Sequence, residues 1–289
     1  MKTNLLLLDS YRNIENLVSF AFSFSNRFNR KLKITYVFDF SWMSQSYVVG
    51  ATGPVDPSLV TAETQAKKEF DVAEKKIRGI VTEYMKHNAV KVPFEIGVSQ
   101  INRIDLVNEE LEQNQGMILL ISNHQSYTEL SDGLVGYPNI IEHAKCPVFV
   151  IPENTSLPVL KNVVYATGYN PEDITSLKHL SNFMKQSENT HITVLHNEKD
   201  YNFDEKLKWA GFKEIVKEEI DAKDFGFTLK TRKDFLRGIE EYTAENNPDL
   251  LVVLHENKGF FKHIFTSNEI KNVLTHFNKP VLVYHEKED

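Results

Sequence analysis

Four consecutive leucines at positions 5–8, closed by Asp9, form an apolar run of the kind that a strand buried on both faces of a parallel sheet requires, with function gathering at its C-terminal end. Ile14, Leu17, Val18, Ala21, Phe22 and Phe24 then recur near helical spacing. The chain passes through a basic stretch at 27–33 into a second apolar strand at 34–38, completing a βαβ unit. Residues 41–57 hold Gly50, Gly53, Pro54 and Pro57 and read as a long loop, followed by a helix over 58–87. Strands at 92–98, 117–121 and 148–151 alternate with helices at 104–113 and 139–143.

The same order restarts after 152–158, a segment with two prolines that reads as a linker. Residues 163–166 answer the first strand, and Leu177, Leu180 and Phe183 supply a helical face. The later strands fall at 192–195, 225–229, 250–254 and 281–284, without a counterpart of the long loop. Residues 142–150 and 275–283 correspond position by position: helix end, His143 or His276, Pro147 or Pro280, then strand. The proline stands at the first strand residue, where a missing N–H is tolerated. The expectation is an α/β chain of two tandem Rossmann-like domains, 1–153 and 159–289, each a five-stranded parallel sheet flanked by helices.

Composition narrows the function without naming it. The 289 residues are 41% apolar and 25% charged, as in globular proteins. The net charge of -7 is spread along the chain, which argues against nucleic acid as the partner. The leading apolar run is too short for a signal peptide or membrane span, so a cytoplasmic protein is expected. The single cysteine, Cys146, reads as a buried thiol, and no Cys/His spacing resembles a zinc site.

The layout of a fourth strand, a loop, a helix and a final strand led by proline resembles the universal stress protein family in its tandem form, across nearly all of both halves. Family domains of the adenine nucleotide alpha hydrolase-like fold that bind ATP carry Gly-x-x-Gly, nine residues, then Gly-Ser or Gly-Thr after the fourth strand. An aspartate ends the first strand near the adenine and ribose. Glycines let the backbone approach phosphates, and a helix N-terminus donates N–H groups. In the first half those positions hold Ile121, His124, Leu134 and Val135, with Gly133 and Gly136 nearby, while Asp9 keeps the aspartate. In the second half they hold Leu254, Asn257, Ser267 and Asn268, with Gly259 displaced by two and Gly168 in place of the aspartate. Asn and Ser there serve as an anion contact or as helix caps. The resemblance therefore implies ATP or another adenine nucleotide at Asp9, Val37, Ile121, His124, Asn257, Ser267 and Asn268, on a motif that both copies have lost. It also implies that the two copies pair through their last strands as an intramolecular pseudo-dimer, with homodimerisation as a further option.

Other chemistry has less support. No Gly-x-Gly-x-x-Gly or P-loop follows any strand, and neither first strand leads into a Ser-Gly-Gly phosphate loop. His255, Glu256 and His263 do not have a recognised ligand spacing. Asp9 and His124, both at strand ends, could orient a ligand or share a proton, but no nucleophile or oxyanion donor completes a mechanism. The charges of residues 61–84 form a solvated helix face. Trp42, Met43, Tyr47, Val48 and Val49 make an apolar loop that either packs over the sheet edge as a cover for the site or is offered to a partner. The resulting expectation is a non-catalytic stress-response protein that binds a small molecule or another protein, with no membrane and no nucleic acid. The alternative is an adenine-nucleotide switch or weak ATPase centred on Asp9.

Overall fold

The computed structural model describes residues 1–38, 57–123, 137–187, 189–220, 225–233, 235–255 and 277–286. The chain divides into two compact units, Met1–Leu157 and Pro158–Asp289.

In the first unit the strands are β1 (Thr3–Leu8), β2 (Lys31–Val37), β3 (Phe94–Ser99), β4 (Ile118–Ser122) and β5 (Val148–Ile151), all parallel, in the order β3-β2-β1-β4-β5. Every residue of β1 is buried, as its unbroken apolar run requires of the central strand. Helix α1 (Ile14–Arg27) supplies the aromatic filling: Phe20 and Phe24 pack on Phe149 of β5, and Phe22 meets Tyr84 and Phe94. Tyr84 belongs to α2 (Pro57–His87), which turns Ala73, Ile77 and Val81 inward and leaves its charged face in water. Helices α3 (Arg103–Gln113) and α4 (Tyr137–His143) complete the unit among the described residues. Arg30, itself buried, braces the opposite end of the sheet: it donates to the Asn4 side chain at 2.6 Å and to the carbonyls of Thr3 and Gly116 at 2.8 and 2.6 Å.

The second unit repeats this order with β6 (Asn162–Thr167), β7 (His191–Asn197), β8 (Phe225–Lys230), β9 (Leu250–His255) and β10 (Val281–His285), parallel in the order β8-β7-β6-β9-β10. Each unit forms the expected α/β arrangement of five parallel strands flanked by helices. Strand registers make the two sheets comparable residue by residue. Leu8 pairs with Tyr36 and Thr167 with His196, so Gly168 stands where Asp9 stands, His196 where Tyr36 stands and Asn197 where Val37 stands. The fourth strands correct the motif alignment, since their pairings place Ile121 against Val253, one residue before Leu254.

Two helices of the second unit were not anticipated. Besides α5 (Glu172–Met184), the chain forms α6 (Phe203–Glu219) and α7 (Phe235–Asn246). In α6, Trp209, Phe212 and Val216 are buried, but Phe203, Leu207 and Ile215 are exposed, which blurs the apolar stripe. Helix α7 packs tightly on β7: a Cβ at Gly238 would lie 2.5 Å from Cγ of Asn197. No helix among the described residues is long and apolar enough to cross a membrane.

Candidate functional site

In open parallel sheets ligands bind outside the C-terminal strand ends, where the order of strands reverses. In the first unit that place lies beyond β1 and β4, and Asp9 stands there as the sequence implied. The first residue of α3, Arg103, reaches it. Asn102 caps that helix by accepting from the N–H groups of Ile104 and Asp105 at 2.8 and 3.4 Å, which fixes where Arg103 departs. The Arg103 guanidinium donates to Oδ2 of Asp9 at 2.6 Å, with the arginine side chain 2% exposed and the aspartate 11%. This is a charge-assisted bond in a low-dielectric place, so the carboxylate is neutralised within the protein.

Two tyrosines link this strand end to α2. Tyr36 donates at 3.3 Å to the Asp9 carbonyl or to the Glu69 carboxylate of α2, and Tyr11 donates to the Glu69 carbonyl. The rings of Tyr11 and Tyr36 lie 5.4 Å apart, and Lys76 sits 3.6 Å over the Tyr11 ring. Burial, together with the Glu69 charge, pushes the Tyr11 hydroxyl above its usual range, so it stays a neutral donor. Val37 and Ile121 are buried at the ends of β2 and β4.

Of the other residues singled out from the sequence, His124, Leu134, Val135, Gly133, Gly136, Glu256, Asn257, Gly259, His263, Ser267 and Asn268 lie outside the described residues. The cover segment with Trp42, Met43, Tyr47, Val48 and Val49 lies outside them as well. The expected pairing of Asp9 with His124 is therefore not part of the described geometry, in which Asp9 meets Arg103. Ninety-four positions separate Asp9 from Arg103, and no spacing rule links them.

The second unit builds a different strand-end cluster. Gly168 carries no side chain, and a carboxylate arrives instead from the first turn of α5. Asp173 accepts from the Tyr165 hydroxyl at 2.6 Å, the Thr167 hydroxyl at 2.6 Å and the Asn170 N–H at 3.0 Å. Burial raises its carboxyl to about 6, against the opposing pull of those three donors. The loop over it is tight. Tyr169 adopts a left-handed φ of 68°, and its ring stacks on the His196 imidazole with centroids 3.9 Å apart. His196 is bound through Nδ1 to the Thr167 carbonyl at 2.9 Å, and burial lowers its pKa. Asn197, the counterpart of Val37, is fixed by the Arg232 backbone, donating to its carbonyl at 3.2 Å and accepting from its N–H at 3.1 Å. Cys146 of the first unit is buried with its thiol pushed up to about 12, so it is no nucleophile at neutral pH.

No family model matches the chain, and no curated protein matches it in sequence. Among solved structures it resembles a universal stress protein from Archaeoglobus fulgidus DSM 4304, at a TM-score of 0.64 and 12% identity, covering 100% of this chain and 97% of that one. The fold is that of the universal stress proteins. A putative universal stress protein from Pseudomonas aeruginosa UCBPP-PA14 is similar at 0.54 and 12% identity over 99% of this chain and 93% of that one. The cytoplasmic domain of a prokaryotic cation chloride cotransporter reaches 0.50 at 10% identity over 98% and 95%. The universal stress protein fold thus occurs in proteins with different tasks, and the site has to decide among them.

Proposed function

We propose that this is a cytoplasmic stress-response protein of the universal stress type that acts without catalysis, by binding a small molecule or a protein, and that its first unit does not use Asp9 to hold an adenine nucleotide. The Asp9–Arg103 bond carries this reading. A carboxylate that is to accept from a ribose or adenine needs its lone pairs available at the strand end. Here a buried guanidinium already holds Oδ2 and compensates the charge, and breaking a buried ion pair costs about 3–5 kcal/mol. This bond supports reading Asp9 as a structural partner of Arg103 in place of the nucleotide contact that the family resemblance implied.

The second unit supports the same reading. Glycine replaces the aspartate, and Asp173, a carboxylate at this strand end, accepts from three internal donors. A closed hydrogen-bond network rigidifies a strand end and offers little to a ligand.

The test is to denature freshly purified protein and analyse the released small molecules by mass spectrometry. The reading expects no adenine nucleotide in stoichiometric amount. Recovery of ATP, ADP or AMP near one equivalent per chain, lost in an Asp9→Ala variant, would replace it with the nucleotide switch.

A further inference from the structure

One cluster of the second unit is not absorbed by this reading, and it does not depend on it. At the end of β7 and the start of α6, a ring nitrogen of His196 and one carboxylate oxygen from each of Glu198 and Glu205 lie within 4.8 Å of one another. We propose that His196, Glu198 and Glu205 form a binding site for a divalent first-row transition ion, Zn2+ above all.

The orientation of the imidazole is the independent observation. The Thr167 carbonyl can only accept, so the Nδ1 atom facing it at 2.9 Å carries the proton, and Nε2 holds the lone pair. His196 is 4% exposed, and among the described residues Nε2 has no hydrogen-bond partner. A buried nitrogen without a partner is costly unless something binds it. A histidine that donates one ring N–H to a backbone carbonyl and presents the other nitrogen has the arrangement typical of metal-ligating histidines. Burial lowers the pKa of His196, which keeps the lone pair available at neutral pH.

The two carboxylates are placed by local structure. Glu198 follows β7 directly, and its backbone N–H donates to the Lys230 carbonyl at 3.1 Å, which continues the pairing with β8. Its Oε1 accepts from the Lys199 N–H at 2.9 Å. Glu205 stands in the first turn of α6, where the Asn202 side chain caps its N–H at 3.0 Å. The Tyr169 ring stacks on the imidazole face at 3.9 Å and the Trp209 ring lies 5.8 Å away, which holds His196 in place.

One neutral imidazole and two carboxylates give charge -2, which matches a divalent ion, and three protein ligands leave a fourth position for water or a bound anion. The nitrogen ligand favours zinc-class ions over Mg2+ or Ca2+, which prefer all-oxygen shells. Lys208 competes, since its ammonium donates to Oε1 of Glu205 at 2.5 Å; it is a surface lysine that an ion would displace into water.

The experiment is calorimetric titration of chelator-stripped full-length protein with ZnCl2, MnCl2 and MgCl2, with Co2+ absorption as a second signal. The expected result is one zinc site, tighter than the Mg2+ response. H196Q and the E198Q/E205Q pair should each weaken it by about 10- to 100-fold, at least what loss of an outer-shell partner costs. E219Q, on the same helix but paired with Lys178, should leave it unchanged, and K208A should leave or strengthen it. If H196Q fails to fold, the E198Q/E205Q pair, on partly exposed positions outside the core, decides the matter. Absence of a zinc signal, or a signal that persists undiminished in E198Q/E205Q, overturns the proposal.

Discussion

Asp173 offers a quantitative handle, because the same carboxylate is buried, satisfied and raised. Its carboxyl titrates at about 6 in the folded protein against 3.8 in an exposed chain, with desolvation as the leading cause. Between those values the folded state holds a proton that the unfolded state has lost. Stability from this group is fully present below pH 3.8 and is lost as pH rises to about 6. A shift of roughly two units corresponds to about 3 kcal/mol. The D173N variant keeps an oxygen for the Asn170 N–H and lets the Tyr165 and Thr167 hydroxyls turn, but it has no charge to desolvate. Measured by urea denaturation at pH 4, 5, 6 and 7, D173N should gain about 3 kcal/mol relative to the parent across that range and then level off. Comparing the two proteins cancels every other titrating group. D173A, which leaves two hydroxyls and an N–H without their acceptor, should cost about 2–5 kcal/mol at pH 4, a cost that shrinks by about 3 kcal/mol toward pH 7 as the parent's carboxyl ionises. A D173N difference that stays constant with pH, or that moves against the variant as pH rises, would refute the reasoning.

Three further outcomes are expected. R103M removes the buried guanidinium from Asp9 and should lose about 3–5 kcal/mol in chemical denaturation, with D9N/R103M recovering part of it; a loss below about 1 kcal/mol would show that the pair is not buried as described. G238A pushes a methyl into Asn197 and should cost about 1–3 kcal/mol. G79A, where nothing lies within 4 Å in the middle of α2, should instead stabilise by about 0.5–1 kcal/mol. Cys146 should resist alkylation in the native protein at pH 8 and react once unfolded; fast native labelling would contradict its burial.

The strands were legible because each central one is a short unbroken apolar run, and the matching ends at Pro147 and Pro280 exposed the repeat. The edge strands β3 and β8 are partly exposed along their length, and β3 begins at Phe94 in place of 92 because Pro93 has no N–H for the ladder and joins it only through its carbonyl, which accepts from Leu32 at 3.0 Å. Helix α6 was hidden by its exposed Phe203, Leu207 and Ile215. Asp9 was found because it closes an apolar run. Arg103, the residue that changes its meaning, reads as an ordinary helix-start arginine until the fold brings α3 to the end of β1. The His196 cluster was missed for the same reason. His196 and Glu198 are two apart on an extended segment, and Glu205 joins them only because α6 begins beside the end of β7.

The central claim is that the first unit has closed the aspartate site that a nucleotide would use. The direct measurement is the melting temperature of the full chain with and without millimolar ATP, in the parent and in Asp9→Ala. A ligand that binds only the folded state at 100 times its Kd adds about 2.7 kcal/mol, a shift of several degrees in a melting scan. The account predicts no shift in either protein. A rise of several degrees in the parent that disappears in Asp9→Ala would contradict it.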